Sequence, residues 1–240
     1  MKPGEQKATV DEIRTRFDND VERFSSIETG QSATVDAPLT LDLVALAAAA
    51  LVPEGTALLD IGCGAGNFTL KLMDALPRLK QVTLVDLSQA MLQRAQERIR
   101  AKRDCESTAI QGDIREIVLP EGAFDVVVAA AVLHHLRTEE EWRSVFSMIY
   151  RSLRPNGSFL ISDLVSHSIP AVQSIMWSKY GEYLAAFKGP EYRDHVFQYI
   201  AYEDTPRPLV FQLDLLRESG FREVDVLHKN SCFAAFVGIK

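Results

Sequence analysis

Cysteine is scarce: Cys63, Cys105 and Cys232 are the three in a chain of 240 residues. The count is odd and no pair has metal-ligand spacing. Neither a disulfide framework nor a cysteine zinc site is expected, and a reduced, cytoplasmic chain is the simplest reading. Long apolar runs are missing too. The longest, 43–52, is too short to span a bilayer, so no membrane partner is expected. The opening MKPGEQKATVDEIRTRF lacks the apolar stretch of a secretory leader, so no signal peptide is expected. Positive charge is outnumbered, with 26 Lys and Arg against 33 Asp and Glu. That balance argues against a surface built to track nucleic acid. There is no internal repeat, no low-complexity tract and no Gly-Lys-Ser/Thr of a phosphate-binding P-loop.

What is present is a rhythm of apolar strands and helical segments. The spacing predicts a helix over 10–24, a polar loop over 25–36 and an Ala/Leu-rich helix over 38–51 stopped by Pro53 and Gly55. Strands follow at 56–61, 81–86, 107–111, 124–130 and 158–163, with helices at 66–76, 89–102 and 139–153. Ser88 is placed to cap the second of these helices. The run FDVVVAA at 124–130 is almost wholly apolar, as a strand covered on both faces must be. Pro155-Asn156-Gly157 reads as a turn. After Asp163 the rhythm breaks into an aromatic-rich helical insertion over 166–207. A helix at 209–219, stopped by Gly220, and two strands at 223–228 and 232–239 close the chain. The tight link 229–231 implies an antiparallel hairpin. The fold class is therefore α/β: a doubly wound, mostly parallel seven-stranded sheet ending in that hairpin.

In such a sheet the ligand crevice lies beyond the carboxyl ends of the strands. The stretch DIGCGAG, residues 60–66, follows the first strand; Asp86 ends the second, Gly112-Asp113 the third, and Ala129-Ala130 the fourth. The glycines run Gly62, Gly64, Gly66, with Asn67 where a dinucleotide fingerprint would want its third glycine. A nicotinamide oxidoreductase is disfavoured on that ground.

Taken in order, DIGCGAG, VDLS, GDI, FDVVVAAAVLHHL and LRPNGSFLISD resemble the successive motifs of class I S-adenosylmethionine (SAM)-dependent methyltransferases, covering about residues 38–165. The resemblance implies a Rossmann-like methyltransferase fold with SAM as cofactor. It implies that Gly62, Cys63, Gly64 and Gly66 carry backbone past the methionine part, with the Cys63 side chain only packing, and that Asp60 lies beneath, near the amino group. Asp86 would accept both ribose hydroxyls, and Leu87 would pack on the adenine. Asp113 would accept from the adenine amino group, Ile114 would meet its ring, and Ala129 and Ala130 would lie beside the sulfonium. The whole chain, 1–240, would be one domain, with 1–35 as a helical lid and 166–207 as an insertion shaping the acceptor pocket.

Methyl transfer needs positioning, and a base only where the acceptor must lose a proton. His134 and His135 follow the fourth strand, where the acceptor approaches, and are the catalytic candidates. A packing role for both stays open, and because neighbouring side chains point apart, no shared metal is expected. Tyr180, Tyr192, Arg193 and His195 are candidates to bind the acceptor or to form the core of the insertion. FDNDVERF, IYRSLRPNGSFLISD and RESGFREVDVLHKNSCFAAFVGIK are also similar to carboxy-SAM synthase, which serves tRNA wobble-uridine modification; Arg193 lies nearest that family's carboxylate-reading arginine, which finds no direct match. The expected function is methylation of a small-molecule acceptor. Carboxy-SAM formation, RNA methylation and a SAM-binding module without catalysis are the alternatives, and a homodimer stays open.

Overall fold

The structure, a computed structural model, describes residues 7–240; the first six residues of the expected lid lie outside the described residues. The chain begins with α1 (Val10–Asn19), α2 (Val21–Phe24) and α3 (Ile27–Gly30). It then alternates: α4 (Ala37–Leu51), β1 (Ala57–Ile61), α5 (Asn67–Ala75), β2 (Gln81–Asp86), α6 (Gln89–Lys102), β3 (Glu106–Gln111) and β4 (Phe124–Ala130). After a short 3-10 turn, Leu133–His135, come α7 (Glu139–Ser152) and β5 (Leu153–Leu164). The insertion forms α8 (Pro170–Lys188) and α9 (Pro190–Glu203), and the chain ends with α10 (Leu209–Ser219), β6 (Glu223–Asn230) and β7 (Phe233–Ile239).

The seven strands lie in the order β3-β2-β1-β4-β5-β7-β6, with β7 antiparallel to both its neighbours. The first five strands pair in parallel, and β1 and β4 at the centre are buried because βαβ crossovers place helices on both faces, while β3 at the edge is not. One face packs Leu59, Ile61, Val127 and Phe159 against Trp142, Phe146 and Leu216 of α7 and α10. The other packs Leu58, Val82, Val126 and Val128 against Val44, Leu72 and Leu92 of α4, α5 and α6. A third apolar cluster, with Tyr180, Leu184, Val196 and Ile200 at its centre, joins α8 and α9 to Leu164 and Cys232 beyond the sheet. No helix among the described residues is long and apolar enough to cross a membrane.

Three local expectations are corrected. The helix over 10–24 is two helices, broken at Asp20, whose backbone leaves the helical region at φ −109°, ψ 15°. Pro155-Asn156-Gly157 is not a turn ahead of the fifth strand, because β5 already begins at Leu153. Asn156 takes a positive φ of 65°, which asparagine tolerates, and its N–H donates to the Lys240 carbonyl at 3.1 Å, so the strand continues through it. The 25–36 loop holds the single turn α3.

Candidate active site

The strand order reverses between β1 and β4, and the crevice opens there. Gly62 turns the chain after β1 at a φ of 65°, and a Cβ there would lie 2.6 Å from the Val132 side chain. Gly64, at φ 50°, has nothing within 4 Å of where its Cβ would be, so its backbone faces open space. Gly66 serves packing instead: a Cβ there would sit 3.1 Å from Ala95 of α6. It caps α5 with no side chain of its own.

Asp86, at the end of β2, accepts from the Gly64 N–H at 2.8 Å and from the Ser88 N–H at 2.9 Å. A carboxylate has about four acceptor positions, so two remain for other donors. Burial pushes its carboxyl up to about 6, against the pull of those backbone N–H groups. Asp60 is buried beneath the loop, where it accepts from Thr69 Oγ1 at 2.6 Å and is also favoured by the Thr69 backbone N–H. Burial raises its carboxyl to about 7. A buried carboxylate whose donors both come from one neutral residue, lining a cavity, suits a cationic ligand.

The cavity at this crevice is bordered by Asp60, Gly62, Cys63, Gly64, Asp86, Leu87 and Ala130 on the sheet side. Its far wall comes from Phe17 and Phe24 of the N-terminal helices, Tyr180 and Tyr199 of the insertion, and Phe233. A smaller cavity continues past Leu87 and is lined by Asp113 and Ile114, roofed by Val10 and Ile13 of α1. Asp113 is already engaged there. Its Oδ1 accepts from the Arg115 N–H and Nε and its Oδ2 from Arg115 Nη2, which leaves about one acceptor position. Ala129 is fully buried in the sheet core; Ala131 and Val132, which follow it, line the cavity in its place, Ala131 at a φ of 53°.

The histidines do not point apart. Their ring centroids are 4.5 Å from each other, because the 3-10 turn folds both over the end of β5. His134 Nδ1 pairs with Asp163 Oδ1, while Asp163 Oδ2 accepts from the Leu133 N–H at 2.8 Å. His134 Nε2 lies 3.6 Å and His135 Nδ1 3.3 Å from one oxygen, Oδ1 of Asp204. Burial opposes charge on His134, but Asp163 and Asp204 outweigh it and hold the imidazole up to about 9. His135 is driven well below the usual range, first by burial and then by His134. Arg16 of α1 forms a two-pronged pair with Glu203, beside Asp204, at 2.8 and 2.6 Å.

Of the acceptor candidates, Tyr180 lines the cavity and donates to the Ala33 carbonyl at 2.9 Å. The other three do not line it. Tyr192 faces Ser32, Arg193 pairs with Asp194 at the surface, and His195 is exposed. Tyr192 and Arg193 share a helical face with Tyr199 and Ile200, seven positions on, but lie two turns earlier along α9, and the end of that helix, with Asp204 just beyond it, is what reaches the site. Asp163, Tyr199, Asp204, Arg16 and Phe17 were not singled out by sequence. For Asp163 a signal was present, since it closes a strand as Asp86 does.

The fold matches what the site suggests. Residues 58–157 match the family described as "Methyltransferase domain". The chain is 32% identical over 124 residues to a putative methyltransferase, YqeM, of Bacillus subtilis, covering 51% of this chain and 48% of that protein. The chain thus spans about half the length of that curated relative. It is 24% identical over 178 residues to a demethylmenaquinone methyltransferase of Anoxybacillus flavithermus, covering 73% of each. Among solved structures, human N-acetylserotonin methyltransferase in complex with SAM superposes with a TM-score of 0.59 at 17% identity, covering 95% of this chain and 56% of that one. With the glycine loop, the acidic strand ends and the reversed seventh strand all in place, residues 58–157 match a methyltransferase-domain family and the sheet has the Rossmann-like fold of the SAM-dependent methyltransferases it superposes on.

Proposed function

We propose that the protein is a SAM-dependent methyltransferase acting on a small-molecule acceptor. The observation that carries the reading is the convergence of two incompletely satisfied carboxylates, Asp60 and Asp86, with the open backbone of Gly64 on one cavity. These fit the cofactor. Asp60 offers its charge to the amino group, Asp86 its two remaining acceptor positions to the ribose hydroxyls, and Leu87 and Ile114 an apolar bed for the adenine. When bound, the cofactor supplies a sulfonium methyl group that an acceptor lone pair takes in line, leaving a neutral thioether.

The residues of this chain then position the acceptor and exclude water. Phe17, Phe24, Tyr180, Tyr199 and Phe233 give it an aromatic wall. His134 and His135 are assigned the acceptor's reacting atom, whose proton must leave as the new bond forms. The helices of 1–35 and 166–207 act as a lid. Asn67 supports this, since its Nδ2 donates to the Phe24 carbonyl at 3.0 Å and ties α2 to the start of α5. A small molecule, not RNA, fits a pocket walled by aromatics in a chain of net charge −7. Relatives named for demethylmenaquinone and N-acetylserotonin support the same class. Arg193, only a neighbour of the register of carboxy-SAM synthase's carboxylate-reading arginine, pairs with Asp194 at the surface, which gives that alternative no support. Three free thiols suit a reducing, cytoplasmic setting.

The test supplies SAM carrying an isotopically labelled methyl group, together with a small-metabolite fraction or with total tRNA. Label recovered in a small molecule is the expected result. Label in tRNA alone, or prephenate-dependent consumption of SAM without methyl transfer, would overturn it.

A further inference from the structure

We infer that His134, His135 and Asp204 form a site for one divalent first-row transition-metal ion, with Zn²⁺ the best match to the spacing. The donor atoms, one from each residue, lie within 4.8 Å of one another. Two of the separations are 3.6 Å, from His134 Nε2 to Asp204 Oδ1, and 3.3 Å, from His135 Nδ1 to the same oxygen. An ion held at ~2.1 Å in tetrahedral geometry sets neighbouring ligands ~3.4 Å apart.

Hydrogen bonding does not account for this cluster. Asp204 Oδ1 and His135 Nδ1 are both buried without a hydrogen-bond partner, although they face each other. Asp204 is 5% exposed. Orphaned polar atoms at this depth are rare in native proteins. A shared cation satisfies both at once.

The support around the three donors is that of a metal site. A ligating imidazole characteristically gives its other ring nitrogen to a carboxylate, which fixes the ring and raises its basicity. His134 Nδ1 does this with Asp163, and Asp163 is itself held by the N–H groups of Leu133 at 2.8 Å and Leu164 at 2.7 Å. That leaves His134 Nε2 aimed at Asp204. Three protein donors leave a coordination position free, as in reactive zinc sites and not structural ones. All three residues line the main cavity, so the free position faces the acceptor space. Two imidazoles with one carboxylate suit zinc, iron, cobalt or nickel, and do not suit magnesium or calcium, which prefer oxygen alone.

The use of the ion rests on the methyltransferase reading; the site itself does not. An acidic group of the acceptor, such as a hydroxyl, placed at the free position would lose its proton more readily beside a cation. The histidine pair would then act on the acceptor through the metal.

The test is equilibrium dialysis of untagged protein against Co²⁺ or Zn²⁺, followed by metal analysis and visible spectroscopy of the Co²⁺ form. The wild type is expected to hold about one ion per chain, with the intense visible bands of four-coordinate Co²⁺. His134→Ala and Asp204→Asn are each expected to weaken binding by at least ~100-fold, and Asp163→Asn by ~10- to 100-fold. His195→Ala, at an exposed position, is expected to retain the ion. Binding of S-adenosylhomocysteine (SAH) to each variant reports that the fold persists. Wild-type protein that binds SAH but no Co²⁺ would overturn the site, as would undiminished Co²⁺ binding by the His135→Ala/Asp204→Asn double variant. Protein that binds Co²⁺ with these variant effects but no SAH supports the site and overturns the reaction.

Discussion

The two walls of the crevice are built on different terms. The sheet wall is made by backbone: a loop that turns through Gly62 and Gly64, and strand ends that deliver Asp60 and Asp86. The facing wall is made by side chains brought from far apart. Arg16 and Glu203 pair across 187 positions of sequence, and Tyr180 reaches the Ala33 carbonyl across 147. A backbone requirement writes itself into one short segment, because only glycine adopts such turns without penalty. A side-chain constellation leaves no such local mark. The sheet wall therefore fits one cofactor, and the facing wall is free to vary with the acceptor.

The largest effect expected is on the sheet wall. Asp86→Asn should weaken SAH binding by roughly 100-fold, since two charge-assisted bonds at ~1.5 kcal/mol each are lost. Calorimetric titration checks this, and a change under threefold would mean that Asp86 does not read the ribose. The glycines separate backbone strain from ligand contact. Gly62→Ala adds a Cβ 2.6 Å from Val132 in the left-handed region, and should lower stability by about 2–3 kcal/mol in urea unfolding. Gly64→Ala meets no neighbour and should lower it by only about 1 kcal/mol, yet cut SAH affinity by about tenfold or more. Equal stability losses would erase the distinction.

On the facing wall, Arg16→Ala strips Glu203, which is buried, of its ion pair. Arg16 is itself part-exposed, so the cost should be about 2 kcal/mol, below the range for a fully buried pair. Turnover should fall while SAH affinity stays within threefold. A matching loss of SAH affinity would show that the walls are not separable.

The pH dependence of cofactor binding is a smaller effect with a definite sign. Burial raises the Asp86 carboxyl to about 6, and the ribose hydroxyls require its charged form. Affinity should hold above pH 7, begin to fall below it as Asp60, raised to about 7, takes up its proton, and steepen below pH 6 as protons also compete for Asp86. An affinity flat down to pH 5 would contradict the assignment. The smallest effect is at His195, exposed on α9: His195→Ala should change stability by about 0.5 kcal/mol or less and leave turnover within twofold.

The same contrast explains what the sequence made legible. The succession of strands along the chain, the reversed hairpin and the bounds of β2, α6 and α10 follow from apolar periodicity and end signals such as Ser88 and Gly220. The glycine loop and acidic strand ends follow from the topology of open sheets. The break at Asp20 was not legible, since the polar, charged run 10–24 carries no glycine or proline to mark where a single residue leaves the helical region. Nor was the part of α9 that reaches the site. Tyr192 and Tyr199 lie seven positions apart on one face, so periodicity does not separate them, and which end of the helix meets the crevice is set only by its docking. The convergence of His134 and His135 was hidden for the same reason, because it depends on a 3-10 turn and on Asp204, 69 residues beyond His135.

The most direct test of the central claim is a calorimetric titration of the wild-type protein with SAH, with NAD as the rival ligand. The account predicts saturable binding of one SAH per chain and no heat from NAD. Binding of NAD, with none of SAH, would contradict it.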